Sequence, residues 1–199
     1  MENKNSAFKE YFSPILVLVL ICFVTTFLLA FTYGVTNPII QKNAAERASE
    51  ARKELLAEAD DFTVSDFDDV ADNDSSIFDY EAGKVYVQDC YVANNGTGAV
   101  MTVVTNSYGG ALTMMVGINA DGEITGVKVM SHADTPGVGT KAHEGKHLDQ
   151  YIGLSELGSD QIKSDPTVNH VTGASISSTA VHKGVYCALE LFKAMGGVK

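Results

Sequence analysis

Three short stretches of this 199-residue chain carry side chains whose types and spacing suit them to chemistry. His143-Glu144-Gly145-Lys146-His147 has the H-E-x-x-H pattern, in which two histidines one helical turn apart bind zinc and the glutamate activates a water molecule. Three features argue against that chemistry here. Gly145 weakens the helix where its geometry must hold, Lys146 sets positive charge beside the cation, and Gly153 stands where an extended zinc motif places its third histidine. Glu156 is too near to serve as the distant glutamate ligand of other zinc proteases, so no metal is expected. Gly173-Ala174-Ser175-Ile176-Ser177 has the outline of a nucleophile elbow that would pair Ser175 with His170 or His182. That tight turn needs glycine two residues after the serine, and Ser177 is there instead. The third stretch, Thr172-Gly173-Ala174-Ser175-Ile176-Ser177-Ser178, reads equally as a plain helix start with spare hydroxyls or as an anion site. In the second reading small residues let backbone approach a phosphate, hydroxyls donate to it and the helix dipole favours its charge.

The elements that must position these stretches follow from periodicity. A final helix is expected from about Ser178 to Met195, with Val181, Val185, Leu189 and Phe192 on its core face and Gly196-Gly197 ending it. Upstream, KVYVQDCYVA, GAVMTVVT, ALTMMVGIN and EITGVKVMS read as strands separated by NNGTG, NSYGG and NADGE turns, an antiparallel meander beginning at Lys84. Asn95-Gly96-Thr97 matches a glycosylation sequon, but Asn-Gly in a turn accounts for itself. A Gly-rich loop follows Ser131, and a short helix is expected around His143 to Tyr151. The fold class is therefore α+β, an antiparallel sheet with flanking helices.

Ahead of this domain, Ile15 to Tyr33 contains no charge and is close to the ~20 residues that cross a bilayer core. Ser13 and Pro14 suit the N-cap and first position of such a helix. The run is longer than a signal-peptide core and no A-x-A cleavage site follows, which favours an uncleaved anchor. Beyond Pro38 an amphipathic stalk is expected, with Ile40, Ala44, Ala48, Ala51, Leu55 and Ala59 on one face. Asp60 to Asp79 is rich in aspartate but lacks the glycine and final glutamate of a calcium loop, and reads as a solvated segment. The expected division is a cytoplasmic N-terminus over 1–13, a transmembrane helix over 14–34, a stalk over 35–60 and the folded domain over 61–199. Lys42, Arg47, Arg52 and Lys53 follow the span while Lys4 and Lys9 precede it, so charge counting alone favours the opposite orientation. Those later bases alternate with Glu46, Glu50 and Glu54 and precede a large domain, which weakens the rule.

With 25 acidic against 14 basic residues and a net charge of -11, the chain has no basic cluster for nucleic acid. Its three cysteines, Cys22, Cys90 and Cys187, have no CxxC spacing for zinc or iron–sulfur chemistry, and Cys90 and Cys187 read as buried free thiols, with a disulfide between them in an oxidising compartment as the alternative.

Thr172-Gly173-Ala174-Ser175 resembles the S/T-G-A-T/S flavinylation motif of the FMN-binding subunits found in Rnf-type ion-translocating complexes, as the G subunit, and in sodium-translocating NADH:quinone reductase, as the C subunit. Ser131-His132-Ala133-Asp134-Thr135-Pro136-Gly137-Val138-Gly139-Thr140-Lys141 is similar to that family's S-H-x-E-T-P-G-L-G-x-K segment, in the same order and at the same distance. The resemblance covers nearly the whole chain, and the compact length, acidic domain and single span fit the G subunit better than the longer C subunit. It implies FMN joined by a phosphoester to the Ser175 hydroxyl, attached by an FMN transferase that uses FAD. It further implies a pocket shaped by Thr172, Gly173, Ala174 and Ser178, with Thr135, Pro136, Gly137, Val138 and Gly139 against the isoalloxazine and Lys141 and Tyr108 nearby. The implied function is electron transfer between ferredoxin and NAD+ coupled to sodium or proton movement, with other subunits of the complex and the membrane as partners and the flavin domain outside the cytoplasm. Three residues depart from the family pattern: Ser175 for threonine, Asn169 for an aspartate ahead of the motif, and Asp134 for glutamate. An anchored binding or scaffolding domain without flavin is the alternative from another class.

Overall fold

The computed structural model describes residues 3–65, 67 and 85–197. It divides into two compact units, Met1–Arg47 and Ala48–Lys199. The first unit is helix throughout its described part. Helix α1, Asn3–Leu55, begins well before the expected Ser13 cap, so that Pro14 and Pro38 both lie inside it. Pro38 has no N–H for the carbonyl four residues back, which belongs to Gly34, where no side chain adds to the crowding. The helix holds a window of mean hydropathy 2.8 with none of it buried, long and apolar enough to cross a membrane. Thr26, Thr32 and Thr36 return their hydroxyls to the carbonyls of Cys22, Leu28 and Thr32, which leaves no unpaired hydroxyl at those positions to face an apolar solvent.

The second unit is a five-stranded antiparallel sheet in the order β1-β2-β3-β4-β5. Its strands are β1 Phe62–Ser65, β2 Val85–Ala93, β3 Gly98–Ser107, β4 Gly110–Asn119 and β5 Ile124–Ser131. The four expected strands are present almost residue for residue. The fifth, β1, falls where an aspartate-rich solvated segment was expected; Phe62 to Ser65 pair with Ala93 to Cys90 at the sheet edge. Residues 66 and 68–84, the rest of that segment and Lys84, lie outside the described residues.

Strand alternation sends Met101, Val103, Met114 and Val116 to one face, where they pack under α3, Ser175–Ala194, against Val181, Val185, Ala188 and Phe192. Gly184 lets the helix close on the sheet, since a Cβ there would stand 2.5 Å from the Met114 methyl. Helix α3 starts three residues earlier than the sequence suggests and ends with the Gly197 N–H on the Phe192 carbonyl. The opposite face, with Ala93, Val100 and Met115, is covered by Ala51, Leu55 and Leu56 at the end of α1. Leu55 fits a notch made by two glycines: a Cβ on Gly117 or Gly126 would come within 3.0 or 2.9 Å of its side chain. Thr125 Oγ1 donates to the Leu55 carbonyl, and Arg52 lies 4.0 Å over the Tyr91 ring. At roughly 1.5–3 kcal/mol per buried aliphatic side chain, both faces are needed to hold the sheet. The stalk helix stops at Leu55 rather than Asp60, and Ile40 and Ala44 are exposed although they belong to the expected apolar face.

The helix expected over 143–151 is reduced to the single turn α2, Lys146–Asp149, preceded by a 3-10 turn at Gly139–Ala142. Cys90 and Cys187 are buried and form no disulfide, and burial pushes the Cys90 thiol up to about 11.

Candidate functional site

Three segments converge at one end of the sheet. The two-residue loop Tyr108-Gly109 joins β3 to β4. It lies so close to the irregular segment that follows β5 that a Cβ on Gly109 would stand 2.1 Å from the Ala133 carbonyl oxygen. Next comes a β-turn closed by Val138 N–H to Thr135 O at 3.2 Å, with Pro136 and Gly137 at its centre and φ +75° at Gly137, the geometry in which proline presets the first position and glycine the second. The third segment repeats the device: Ala174 N–H reaches Val171 O at 3.0 Å with Gly173 at φ +86°, and α3 starts immediately after.

Asp134 ties these segments together. Its buried carboxylate accepts the Ser107 hydroxyl and, at 2.6 Å, the Gly109 N–H, and the Ser177 hydroxyl from the first turn of α3 also bonds it. His143 Nε2 stands 3.0 Å away. Burial alone would raise the Asp134 carboxyl, but these donors outweigh it and hold the group below the usual carboxylate range. Gly139 completes the fit, since a Cβ there would meet the Asp134 Cβ at 2.7 Å.

The result is a cleft of about 540 Å³ lined by Tyr108, Thr135, Val138, Gly139, Gly173, Ala174, Ser175, Ile176 and Ser177. That volume falls within the roughly 300–1,000 Å³ of small-molecule sites. Seven residues singled out in the sequence share this lining, and Ile176 and Ser177 join them. Pro136, Gly137 and Thr172 shape the two turns, and Lys141 is exposed in the 3-10 turn. Ser178 is different: it is fully buried and accepts the Val171 N–H at 2.9 Å, so it holds the loop from beneath. No side chain caps α3, so Ser175 stands at its first position beside unpaired N–H groups.

The lining fits FMN. Tyr108, Val138 and Ile176 are 73%, 50% and 55% exposed, an apolar rim that a flat ring system would cover. The uncapped helix start beside them suits a phosphate.

The two histidines of H-E-x-x-H do not share a helical face. Gly145, at φ +47°, interrupts the helix between them; His143 faces Asp134 with its ring centroid 4.7 Å from that of His132 and tilted by 55° to it, while His147 Nδ1 accepts from Gln150 at 2.7 Å. Among the described residues no three His, Cys, Asp or Glu side chains are grouped to hold a metal. Elemental analysis of the purified protein is expected to find no stoichiometric zinc; one zinc per chain that disappears in His147→Ala would contradict this. His182 is engaged elsewhere, being fully buried with Nε2 2.7 Å from the Ser159 carbonyl and 3.7 Å from Asp165, and among the described bonds none joins it to Ser175.

Burial lowers His147 to about 4, and it also lowers His143 and His182. The native imidazoles hold protons less tightly than the unfolded chain does, so stability is full above pH ~6.5 and falls as the pH drops. For His147 the loss between pH ~6.5 and ~4 is on the order of 3 kcal/mol. Thermal unfolding followed across that range should show a steep acid decline that His147→Gln makes shallower; equal slopes in the two proteins would reject the assignment.

Comparison with known proteins places the FMN-binding domain family over residues 107–190. The chain is 31% identical over 192 residues to the G subunit of the ion-translocating oxidoreductase complex of Methanosarcina acetivorans, covering 95% of this chain and 98% of that protein. It is 31% identical over 214 residues to the G subunit of the Na(+)-translocating ferredoxin:NAD(+) oxidoreductase complex of Acetobacterium woodii, covering 97% and 98%. A proton-translocating counterpart from Clostridium ljungdahlii is 26% identical, over 92% of this chain and 91% of its own. With an antiparallel α+β domain, a cleft of small-molecule size and similarity over nearly the whole chain in agreement, this chain belongs to the family of G subunits of ion-translocating oxidoreductase complexes.

Proposed function

We propose that the chain is the electron-carrying flavoprotein subunit of a membrane complex that couples electron transfer between ferredoxin and NAD+ to sodium or proton movement, with FMN joined by a phosphoester to Ser175 Oγ. The observation that carries this reading is the position of Ser175. Its hydroxyl stands where an apolar-rimmed cleft meets an uncapped helix N-terminus, in a chain of the G-subunit family. FMN, when bound, supplies the redox chemistry. The chain's own residues orient and hold it. Tyr108, Val138 and Ile176 exclude water from the ring, the Gly173 turn brings backbone close to the phosphate, and Asp134 fixes the three segments relative to one another. An FMN transferase acts on the chain during maturation. Peptide mass spectrometry of protein made with that enzyme is expected to place the flavin phosphate on Ser175; localisation to Thr172, Ser177 or Ser178 would refute the site.

The same reading makes the apolar part of α1, residues 14–34, a single membrane anchor, with residues 35–60 as its outward continuation and the FMN domain outside the cytoplasm. Asp121 lies exposed in the β4–β5 turn and suits a topology test. In a Cys22→Ser background, Asp121→Cys should react with an impermeant maleimide in intact cells. Reaction only after the membrane is breached would reverse the orientation.

A further inference from the structure

We infer that a second cleft beside Ser175 is a phosphate subsite, in which Lys163 and Lys183 hold the charged oxygens of the flavin ester. The inference rests on attachment at Ser175. Ser175 and Ile176 form a wall shared by two clefts: the flavin-sized one described above and a smaller one of about 260 Å³. The smaller cleft is too confined for a flavin ring with its chain but ample for a phosphate with several waters, each taking roughly 30 Å³.

Its chemistry differs from that of its neighbour. Thr105, Asn106, Lys163, Thr179 and Lys183 bring two ammonium groups and three neutral polar side chains to one concavity. In a chain of net charge -11 this is an unusual local excess of positive charge. Three lysines elsewhere are paired, Lys42 with Glu46, Lys128 with Glu54 and Lys193 with Glu190, whereas neither Lys163 nor Lys183 has a described carboxylate at ion-pair distance. Thr105 adds an independent sign: it is 1% exposed, lines this cleft, and its buried Oγ1 has no hydrogen-bond partner. A buried hydroxyl is ordinarily paired, and this one sits unpartnered in the wall of the cleft.

The helix supplies the alignment. Ser175, Thr179 and Lys183 recur every four residues of α3 and therefore lie along one face. Helical side chains lean toward the N-terminus, which carries the Lys183 ammonium back toward Ser175. An ester at Ser175 Oγ then has two directions to follow. The ring lies over the apolar rim of the larger cleft, and the phosphodiester oxygens, with one negative charge, face the lysines of the smaller one.

The test uses the full-length chain in detergent, flavinylated or carrying Ser175→Ala, each treated briefly with an amine-acylating reagent and digested for mass spectrometry. Lys163 and Lys183 are expected to be at least ~5-fold less acylated in the flavinylated chain, with Lys53 and Lys146, both exposed and outside the two clefts, alike in both. Equal reactivity of Lys163 and Lys183 in the two proteins overturns the subsite. The same digest reports whether Ser175 carries flavin; if it does not, the attachment and the subsite fall together, whereas flavin present with unprotected lysines rejects the subsite alone. A phosphorus NMR spectrum separates phosphate from ring as the occupant. The phosphodiester resonance should move in flavinylated Lys163→Gln/Lys183→Gln and stay in Lys146→Gln. Protection without that movement means the ring covers the lysines and rejects the phosphate assignment. If the double variant takes up no flavin, the acylation comparison on the native chain decides.

Discussion

Ser175→Ala is expected to abolish ferredoxin-dependent NAD+ reduction by the assembled complex while leaving the chain folded, and Ser175→Thr to retain the flavin and the activity. The structural cost of alanine is small for a specific reason. Helix α3 is not capped by any side chain, and Ser175 is half-exposed at its first position, so no cap is removed. A change of this kind stays within about 0.5 kcal/mol, against the roughly 5–15 kcal/mol that stabilises a domain. The functional cost is of another order. On the proposed attachment, loss of the hydroxyl would leave no ester, the flavin would dissociate, and the chain would have no redox centre. Threonine keeps the nucleophile and adds one methyl where the backbone is already helical. The measurement is activity alongside subunit content in the purified complex. Normal assembly with near-normal activity in Ser175→Ala would remove covalent flavin at this site from the electron path.

Asp134→Ala should be the most damaging substitution that touches no flavin. It removes the acceptor shared by Ser107, Gly109 and Ser177 and so releases three donors at once. Hydrogen bonds to a charged acceptor are worth roughly 1.5–3 kcal/mol each, so losing two or three of them, partly replaced by water, costs about 3–5 kcal/mol. For a chain of this size that lowers Tm by about 6–20 °C. Flavin content should fall as well, even at temperatures where the protein stays folded, because the first turn of α3 is no longer registered against the Tyr108-Gly109 loop. Asp134→Asn preserves volume but turns an amide toward donors, so its loss should be smaller and of the same kind. The native carboxyl is held below its usual range, so its stabilisation is full at neutral pH and disappears only as the pH falls through that lowered value. Thermal unfolding with flavin quantified per chain tests this; unchanged Tm and full flavin in Asp134→Ala would show that Asp134 does not organise the site.

The sheet was legible because alternation and turn chemistry are local. Each of the four main strands shows its apolar pattern in a few residues, and Gly96 and Gly122, both at positive φ, mark the turns that separate them. Strand β1 was not legible: four residues beside acidic neighbours have too little pattern, and only pairing with β2 makes them a strand. The buried place of Ser178 did have a signal. It lies three residues before Val181 and seven before Val185, hence on the core face of α3 rather than toward the cleft. Asp134 had none of that kind. Its partners are 25 residues back, 27 residues back and on the first turn of α3, and contacts between segments that distant leave no spacing to read. The H-E-x-x-H letters match, but Gly145, the residue that argued against a zinc site in the sequence, also prevents the helix that would give them meaning.

The notch that Gly117 and Gly126 form for Leu55 bears on where this chain can be cut. A water-soluble fragment designed from hydropathy alone would start after the stalk, near residue 61, and would strip Ala51, Leu55 and Leu56 from the sheet. Ala93, Val100 and Met115, all buried in the intact chain, would then face water on a flat strand surface. Such a fragment would self-associate, whereas one beginning at or before Ala48 carries its own cover. The same two glycines limit what can be substituted beneath that cover, because even a methyl group at either position meets Leu55 and pushes the helix terminus away from the sheet.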